Sequence, residues 1–355
     1  MLGAEERDTI YMGFPGERPP YYAYEAVQIF NDCGAFPVLV PERPLPENSA
    51  KSGIWLQKNG ERKEIPYFAA ASEKMEHKLQ KREIYKIMNH FTGYWSPWGC
   101  MTGVRPAKIV NGLLHAGNTP ETAIRELEEF YLITPEKARL AVETAQNQES
   151  FLQIQQRHPE NIAIYVGIPF CPTVCTYCSF SSGALEDWKD FVDAYVEALC
   201  KELAFIGEVS KEKKLNSIYI GGGTPTSLNA RQLERILSCI DTHFSREYLL
   251  EYTVEAGRPD SITEEKLQVI KAHKVTRISI NPQTMQQKTL DVIGRKHTVE
   301  DICRTYEMAR SLGFDNINMD LIAGLPGETA LDMKDTLEKI GRLQPDSLTV
   351  HSLAI

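Results

Sequence analysis

The sequence predicts an α/β protein: a partial (β/α)6 barrel in residues 161–355, preceded by a mainly helical α+β domain in residues 1–150. Short apolar runs recur six times in the second part, amphipathic helical patterns separate them, and candidate functional residues follow the runs. Such alternation is typical of a parallel sheet that helices cover on at least one face. A doubly wound sheet is the alternative, because periodicity does not distinguish it from a barrel.

The barrel part divides into strands and helices by its hydrophobic pattern. The predicted strands are residues 162–168, 217–223, 250–256, 276–282, 316–324 and 347–355. The predicted helices are residues 187–206, 229–243, 263–273, 299–312 and 329–342. The first helix has apolar residues spaced three and four apart, which form one buried face. The last helix begins after Thr329, a good N-cap residue.

The N-terminal domain has a different pattern. Its predicted helices are residues 22–32, 74–92, 105–116, 119–131 and 134–148. A β-like stretch at residues 52–69 contains an Asn-Gly pair, which predicts a hairpin turn. Two of the helices begin with Thr-Pro-Glu, which supplies an N-cap hydroxyl, a proline at the first helical position and an acid in the first turn. Residues 151–160 are expected to be a linker.

Composition limits the function. The net charge of −9 argues against a nucleic-acid-binding protein that uses a broadly positive face. No apolar run approaches the roughly 20 residues that span a bilayer, and the N-terminus lacks the apolar segment of a signal peptide. We therefore expect no nucleic-acid or membrane partner and a cytoplasmic location, where thiols stay reduced.

Three cysteines follow the first strand at close spacing. Cys171, Cys175 and Cys178 form the pattern Cys-x3-Cys-x2-Cys. A structural zinc site takes four ligands, and no nearby Cys or His is an obvious fourth. Three thiolates on a four-iron cube leave one iron open for a non-protein ligand. The spacing favours such a cluster, while a zinc loop or three incidental thiols remain alternatives. The other five cysteines are scattered singly and are expected to be small buried hydrophobes.

A glycine run ends the second predicted strand. Gly221, Gly222 and Gly223 precede Thr224, and glycines there let the backbone approach a ligand and offer it N–H groups. An ordinary tight turn is the alternative. Because parallel strands end at the same edge of a sheet, this run is predicted to lie beside the cysteine loop.

Five motifs in order resemble those of the radical S-adenosylmethionine (SAM) enzymes, and more narrowly the oxygen-independent coproporphyrinogen III oxidase group of HemN type. The motifs are CxxxCxxC, GGGTPT, TVEAGRPD, RISINPQT with IGRKHT, and NINMDLIAGLPGET. The upstream segment SPWGCMTGVRPAKI is similar to the HemZ-like branch of that group. The resemblance covers about residues 161–355.

The resemblance implies a [4Fe–4S] cluster on Cys171, Cys175 and Cys178, with SAM bound to the fourth iron through its amino and carboxylate groups. Carried over by motif, the SAM-binding residues are Tyr165, Tyr177, Gly222, Gly223, Thr224, Glu255, Gln283, Arg295, Asp320 and Ala354. Tyr165 is expected to line the cluster or SAM, and Tyr177 to shield the adenine. The glycines and Thr224 are expected to meet the methionyl amino group.

The remaining residues carried over have structural alternatives. Glu255, Gln283, Arg295 and Asp320 are expected to hold polar atoms of SAM or of a second SAM, and Ala354 to lie near adenine. Alternatively, the carboxylates could form salt bridges with Arg277 or Arg295, the tyrosines could be core aromatics, and Gln283 could cap a turn.

The activity that the resemblance implies is oxidative decarboxylation of two coproporphyrinogen III propionates to give protoporphyrinogen IX in haem biosynthesis. Such an oxidoreductase needs a tetrapyrrole substrate and a reductant such as flavodoxin or ferredoxin. The candidate cations for the substrate carboxylates are Arg105, Arg258, Arg277 and Arg295. Two alternatives remain: a haem chaperone or other radical SAM protein that acts on tetrapyrroles, and a non-catalytic zinc-binding protein.

The chain departs from the family pattern in three places. Gly167 replaces the histidine of the usual YxHIPFC, and NPQT replaces GVQS. The family continues beyond the sixth strand with a C-terminal helical domain, which is expected to be absent here.

Overall fold

The computed structural model of the protein describes residues 9–42, 51–102, 105–157 and 160–353. The chain separates into two compact units, with the boundary between Arg157 and His158. Each unit has its own cluster of buried apolar side chains.

The N-terminal unit combines helices with a four-stranded sheet. Its elements in chain order are β1 (Ile10–Pro15), α1 (Tyr21–Gln28), β2 (Val38–Glu42), β3 (Lys51–Lys58), β4 (Glu61–Pro66), α2 (Glu73–Thr92), α3 (Pro106–His115), α4 (Pro120–Glu129) and α5 (Pro135–Arg157). The strand order is β2-β1-β3-β4, with β1 and β2 parallel and the other pairs antiparallel. Asn59 and Gly60 make the predicted hairpin turn, with φ angles of 53° and 82°.

Two features of this unit differ from the prediction. Strands β1 and β2 were not predicted; both are short, and β2 is a largely exposed edge strand that contains Pro41. Helix α5 continues to Arg157, so residues 151–157 of the expected linker are helical. No glycine or proline follows Pro135 until Pro159, and nothing else in this polar stretch stops a helix.

The second unit is an open, parallel (β/α)6 barrel. Its elements are β5 (Asn161–Ile168), β6 (Phe170–Cys171), β7 (Gly183–Ala184), α6 (Leu185–Trp188), α7 (Val192–Val209), β8 (Lys214–Gly222), α8 (Ala230–His243), β9 (Glu251–Gly257), α9 (Glu264–Ala272), β10 (Arg277–Ile280), α10 (Gln287–Val292), α11 (Val299–Ser311), β11 (Ile317–Ala323), α12 (Ala330–Leu343) and β12 (Ser347–Ser352). The six long strands lie in the order β5-β8-β9-β10-β11-β12, and all pairs are parallel. A doubly wound sheet reverses its strand order, so that alternative is wrong.

The two faces of this sheet differ in polarity. Ile164, Ile218 and Val254 alternate along their strands with polar neighbours and are buried in the core cluster. Because successive strand residues point to opposite faces, Tyr165, Tyr219 and Glu255 share the other face. The register confirms this arrangement, since it places Tyr165 beside Tyr219 on the adjacent strand. One face of the sheet is therefore a hydrophobic core, and the other is polar.

The barrel helices largely follow the predicted pattern. Helix α10 was not predicted, because six residues are too few for a helical period. Thr329 accepts a hydrogen bond from the Asp332 N–H, and the Asp332 side chain bonds back to the N-cap backbone, which makes a capping box before α12. Within the described ranges, no helix has both the length and the apolar character needed to cross a bilayer. Of the five scattered cysteines that were expected to be buried, Cys100 is buried, Cys200, Cys239 and Cys303 are half-buried, and Cys33 is exposed, so the expectation was wrong for Cys33 and holds only in part for three others.

Candidate functional site

A cavity of about 550 Å³ adjoins the carboxyl ends of the strands and the polar face of the sheet. The predicted site residues that line it are Cys171, Cys175, Tyr177, Cys178, Gly222, Gly223, Thr224, Glu255, Gln283, Arg295 and Asp320. Residues far apart in the chain thus meet where ligands of α/β barrels bind. Their individual roles stay predictions.

Of the two remaining predicted residues, Tyr165 is placed differently and Ala354 is not described. Tyr165 is 64% exposed and does not line the cavity; its ring stacks on that of Tyr219 with 5.8 Å between the centroids. Tyr165 therefore contacts the cavity wall indirectly, by stacking on Tyr219, which does line the cavity. Ala354 lies outside the described residues.

The cysteine loop is held in place from two sides. The Thr224 hydroxyl donates to Cys171 Sγ at 3.5 Å, which links the loop to the glycine run. Further along the loop, the Thr173 hydroxyl donates to the Gly294 carbonyl at 3.2 Å, and the Thr176 N–H donates to the Ile293 carbonyl at 3.3 Å. The loop is thereby fixed against residues that follow β8 and α10.

The spacing of the thiols bears on the kind of metal site. Across the part of the chain that the structure describes, no three His, Cys, Asp or Glu side chains converge on a position for a single metal ion. A [4Fe–4S] cube binds each thiolate at a different iron atom, so its ligands need no common point. Three cysteines on the wall of one cavity fit such a cluster.

The glycine run packs the end of β8 against the cysteine loop. The Gly223 N–H donates to the Ile168 carbonyl and the Thr224 N–H to the Phe170 carbonyl, both at 2.7 Å. These two N–H groups are therefore not available to a ligand, and for Gly223 this is contrary to the prediction. A Cβ at position 223 would lie 2.6 Å from the Phe170 carbonyl oxygen, so glycine is required there. The glycine run therefore allows the backbone at the end of β8 to pack closely against the backbone before the cysteine loop.

Two carboxylates lie on the polar face of the sheet. Glu255 accepts a hydrogen bond from the Tyr219 hydroxyl. Burial raises the pKa of Glu255, the Tyr219 bond partly opposes this, and the nearby charge of Asp320 raises it further. Burial and the Glu255 hydrogen bond also raise the pKa of Tyr219. A carboxyl with a raised pKa in a cavity is typical of a functional site.

Asp320 is oriented by Asn318, two residues before it on β11. The Asn318 side-chain N–H donates to Asp320 Oδ1 at 2.6 Å. Its side-chain oxygen accepts from Ser347 at 2.9 Å and from Thr349 at 3.2 Å, which ties β11 to β12. The sequence analysis missed both Tyr219 and Asn318. Their signal was the alternation within the strands, which placed each on the same face as a predicted site residue.

The predicted alternative of salt bridges at Glu255 and Asp320 does not describe the site. Arg277 lies 3.8 Å from Glu251 and donates to Ser347 at 3.1 Å. The contacts found for the two carboxylates are instead the neutral donors Tyr219 and Asn318.

Gln283 has a backbone conformation that non-glycine residues rarely adopt. Its φ is 66°, and it bridges to β11, with its N–H donating to the Asp320 carbonyl and its own carbonyl accepting from Ile322, both at 2.9 Å. Its side-chain oxygen is buried and has no hydrogen-bond partner among the described residues. Strain of this kind often accompanies a ligand site, and this oxygen fits a donor on a bound ligand.

Most of the predicted substrate cations are already engaged. Arg295 is 5% exposed and donates to the Asn281 carbonyl and, at 3.3 Å, to the Tyr177 hydroxyl. Arg258 pairs with Asp260, and Arg105 belongs to the N-terminal unit. Burial raises the pKa of Tyr177 to about 12, against the lowering effect of Arg295.

Asp260 lies between two groups that can be cationic. Burial alone would raise its pKa, but the nearby His297 ring and the hydrogen bonds from Arg258 hold the pKa of this carboxyl well below its usual range. The Asp260 carboxyl is therefore ionised at neutral pH and forms an ion pair with Arg258. This ion pair is present without any bound ligand.

Comparison with known proteins gives a consistent result. Residues 165–340 match the family model described as the Radical SAM superfamily. The chain is 42% identical over 271 residues to the oxygen-independent coproporphyrinogen-III oxidase-like protein HemZ of Bacillus subtilis, covering 76% of this chain and 54% of that protein. It is 36% identical over 192 residues to the haem chaperone HemW of the same organism, covering 54% of this chain and 50% of HemW.

Among solved structures, the HemN coproporphyrinogen III oxidase from Escherichia coli, described as a radical SAM enzyme, matches with a TM-score of 0.51 and 29% identity. The match covers 58% of this chain and 47% of that one. The chain thus spans about half the length of the relatives it matches.

Proposed function

Because residues 165–340 of this chain form a domain of the radical SAM superfamily, which uses a [4Fe–4S] cluster and SAM, we propose that the protein decarboxylates two propionate side chains of coproporphyrinogen III to give protoporphyrinogen IX. The observation that carries the proposal is the cavity, which brings the three cysteines together with Glu255 and Asp320. Its support among relatives is the 42% identity to the HemZ protein.

In this proposal, each residue class of the cavity has a distinct task. Cys171, Cys175 and Cys178 would hold the cluster, and Glu255, Gln283 and Asp320 would accept hydrogen bonds from the polar groups of SAM. When bound, the cluster and SAM would supply a one-electron cleavage that creates a strong hydrogen-atom acceptor. Tyr177 and Arg295 would close one side of the cavity through their mutual hydrogen bond.

The substrate reaction balances as an oxidation. Each propionate loses a hydrogen atom from its β-carbon, then CO2, and one electron passes to an acceptor, which leaves a vinyl group. The substrate carboxylates need a cation, and both Arg277 and Arg295 line the cavity with an Nε that has no partner among the described residues. Arg277 is the better candidate, because its side chain is 29% exposed whereas Arg295 is buried. The source of electrons would be a small carrier such as flavodoxin or ferredoxin. A reducing compartment, the cytoplasm, would keep the cysteines available for the cluster.

A haem chaperone is the second candidate function, and the 36% identity to HemW favours it. Both candidates use the same cluster loop, so they differ in what happens to the tetrapyrrole. A chaperone transfers intact haem, whereas the oxidase changes the substrate. A non-catalytic zinc-binding protein remains the third alternative.

The deciding experiment is anaerobic turnover with the reconstituted protein, SAM, a reductant and coproporphyrinogen III. The proposal expects consumption of SAM, release of CO2 and a product with two vinyl groups. Transfer of haem to an acceptor protein without any of these would establish the chaperone instead. Stoichiometric zinc in place of iron would reject both.

A further inference from the structure

Arg258 is a buried cation next to the cysteine loop. Its side chain is 3% exposed, and it follows β9 in the segment GRPD. The guanidinium Nη1 donates to the Thr173 carbonyl at 3.0 Å and to the Thr173 hydroxyl at 2.7 Å. The same nitrogen lies 4.0 Å from Cys175 Sγ. The loop between the first two cysteines is therefore attached to a fixed positive charge.

Asp260 holds the guanidinium in this position. Arg258 Nε donates to Asp260 Oδ1 at 3.0 Å, and Nη2 donates to Oδ2 at 2.8 Å, which is a bidentate pair. His297 is buried beside Asp260, with Nδ1 3.5 Å from Oδ1, the oxygen that also accepts from Arg258 Nε. A buried arginine held in this way has little freedom to turn toward another partner.

These contacts rule out the role that the sequence analysis gave to Arg258. A guanidinium has five N–H groups, and the bonds to Asp260 and Thr173 use four of them. Binding a substrate carboxylate would require breaking the bidentate pair or releasing the loop. The charge of Arg258 is directed at the cysteine loop and at Cys175.

We propose that Arg258 is a positioning residue of the cluster site: it anchors the loop at Thr173, and its charge beside Cys175 raises the reduction potential of the cluster. This inference rests on the proposed function, because it requires Cys175 to be a cluster ligand. Positive charge and N–H donors near a cluster sulfur stabilise the reduced, more negative state of the cluster. The two effects can be separated experimentally. Holding the loop at Thr173 needs the planar guanidinium with its several N–H donors, whereas raising the reduction potential of the cluster needs only the positive charge.

Two substitutions separate the effects. Arg258→Met removes the charge and the anchor, and Arg258→Lys keeps the charge but cannot make the same set of bonds to Asp260 and Thr173. The variants are reconstituted anaerobically beside the wild type. The midpoint potential of the cluster is measured by redox titration followed by electron paramagnetic resonance, and the rate of cluster loss is measured with an iron chelator.

The proposal expects the two variants to differ in midpoint potential but not in the loss of the anchor. Arg258→Met should have a more negative midpoint potential than the wild type, and both variants should lose iron several-fold faster. Arg258→Lys should keep a potential close to that of the wild type. Arg277→Gln is the matched control, because it removes a cation that lines the same cavity and that contacts Ser347 and Glu251, with no cysteine contact found among the described residues. It should leave the rate of iron loss unchanged.

The outcomes that overturn the proposal are distinct from those that overturn the function. An unchanged potential in Arg258→Met, or wild-type iron loss in Arg258→Lys, shows that Arg258 does not position or tune the cluster. If Arg258→Met does not fold because Asp260 is left unpaired, the iron-loss measurement on Arg258→Lys still decides the anchoring role. A wild-type protein that binds no four-iron cluster rejects the proposed function itself, before any variant is compared.

Discussion

Tyr219 on β8 donates a hydrogen bond to the Glu255 carboxylate on β9, and this bond spans two neighbouring strands on the polar face of the sheet. The two residues are the centre of a polar surface that also includes Asp320. The pair makes a half-buried carboxylate tolerable in the folded protein, because burying a carboxylate without a partner is costly.

Removing the hydroxyl of Tyr219 should destabilise the barrel unit. Tyr219→Phe leaves the Glu255 carboxylate without its donor, and we expect a loss of about 1–3 kcal/mol in the free energy of unfolding at neutral pH. Urea denaturation of the cluster-free protein measures it. Tyr165→Phe is the matched control on the adjacent strand, because that side chain is 64% exposed; it should change stability by less than about 0.5 kcal/mol. Equal effects of the two substitutions would contradict the importance of the bond.

Glu255→Gln should change the dependence of stability on pH. Burial and the charge of Asp320 raise the pKa of Glu255 in the folded protein above its ordinary value of 4.5. As pH rises, Glu255 therefore ionises in the unfolded chain before it ionises in the folded protein, and the wild type loses stability. Glutamine does not titrate and still accepts the Tyr219 bond. Relative to the wild type, the variant should therefore gain stability as pH rises from about 4 to about 7. Urea midpoints across this range measure the difference, and a difference that is constant with pH would contradict a raised pKa.

Gly223→Ala should disrupt the cysteine loop. The new Cβ would lie 2.6 Å from the Phe170 carbonyl oxygen, so the backbone beside Cys171 has to move. We expect a cost of about 1–3 kcal/mol and poor reconstitution of the cluster, measured by iron content. Gly167→Ala is the control, since its Cβ would meet only Tyr165 Cε1 at 3.5 Å, an ordinary contact. Full iron loading of Gly223→Ala would show that the glycine is not required for packing.

Gln283→Gly should stabilise the fold and weaken the binding of SAM. Glycine adopts the φ of 66° without strain, which favours the variant by up to about 1 kcal/mol. Loss of the side-chain amide should lower SAM affinity about tenfold, measured by calorimetry. Gln344→Gly is the control: its φ is 54° at the exposed end of α12, so stability should rise and SAM affinity should not change. Unchanged SAM affinity in Gln283→Gly would remove Gln283 from the site.

The sequence predicted those parts of the fold that depend on local pattern. The six barrel strands are short apolar runs, and Thr329 is recognisable as an N-cap from its neighbours alone. Helix α10 is too short to show a helical hydrophobic period, and strand β2 is too exposed to show the alternation of a half-buried strand. The extension of α5 was missed because a polar stretch without glycine or proline can be either a helix or a linker.

The site was predicted less completely, because its contacts join distant parts of the chain. The motifs located the cysteines, but the partners of a charged residue do not follow from its neighbours. Arg258 appeared to be free for a substrate, yet it bonds to Thr173, which is 85 positions away. The N–H groups of the glycine run appeared free for a ligand, yet that of Gly223 bonds to the Ile168 carbonyl at the end of β5, and the next one, of Thr224, bonds to the Phe170 carbonyl on β6. Only the folded arrangement shows which donors are already used.

The central claim is that Cys171, Cys175 and Cys178 together hold a cluster that cleaves SAM. The direct measurement is formation of 5′-deoxyadenosine under anaerobic reduction by the reconstituted wild type, Cys175→Ala and Cys200→Ala, the last a half-buried cysteine on α7 that does not line the cavity. The wild type and Cys200→Ala should form it at equal rates, and Cys175→Ala should show only the background of cluster-free protein. Formation at the wild-type rate by Cys175→Ala would contradict the account.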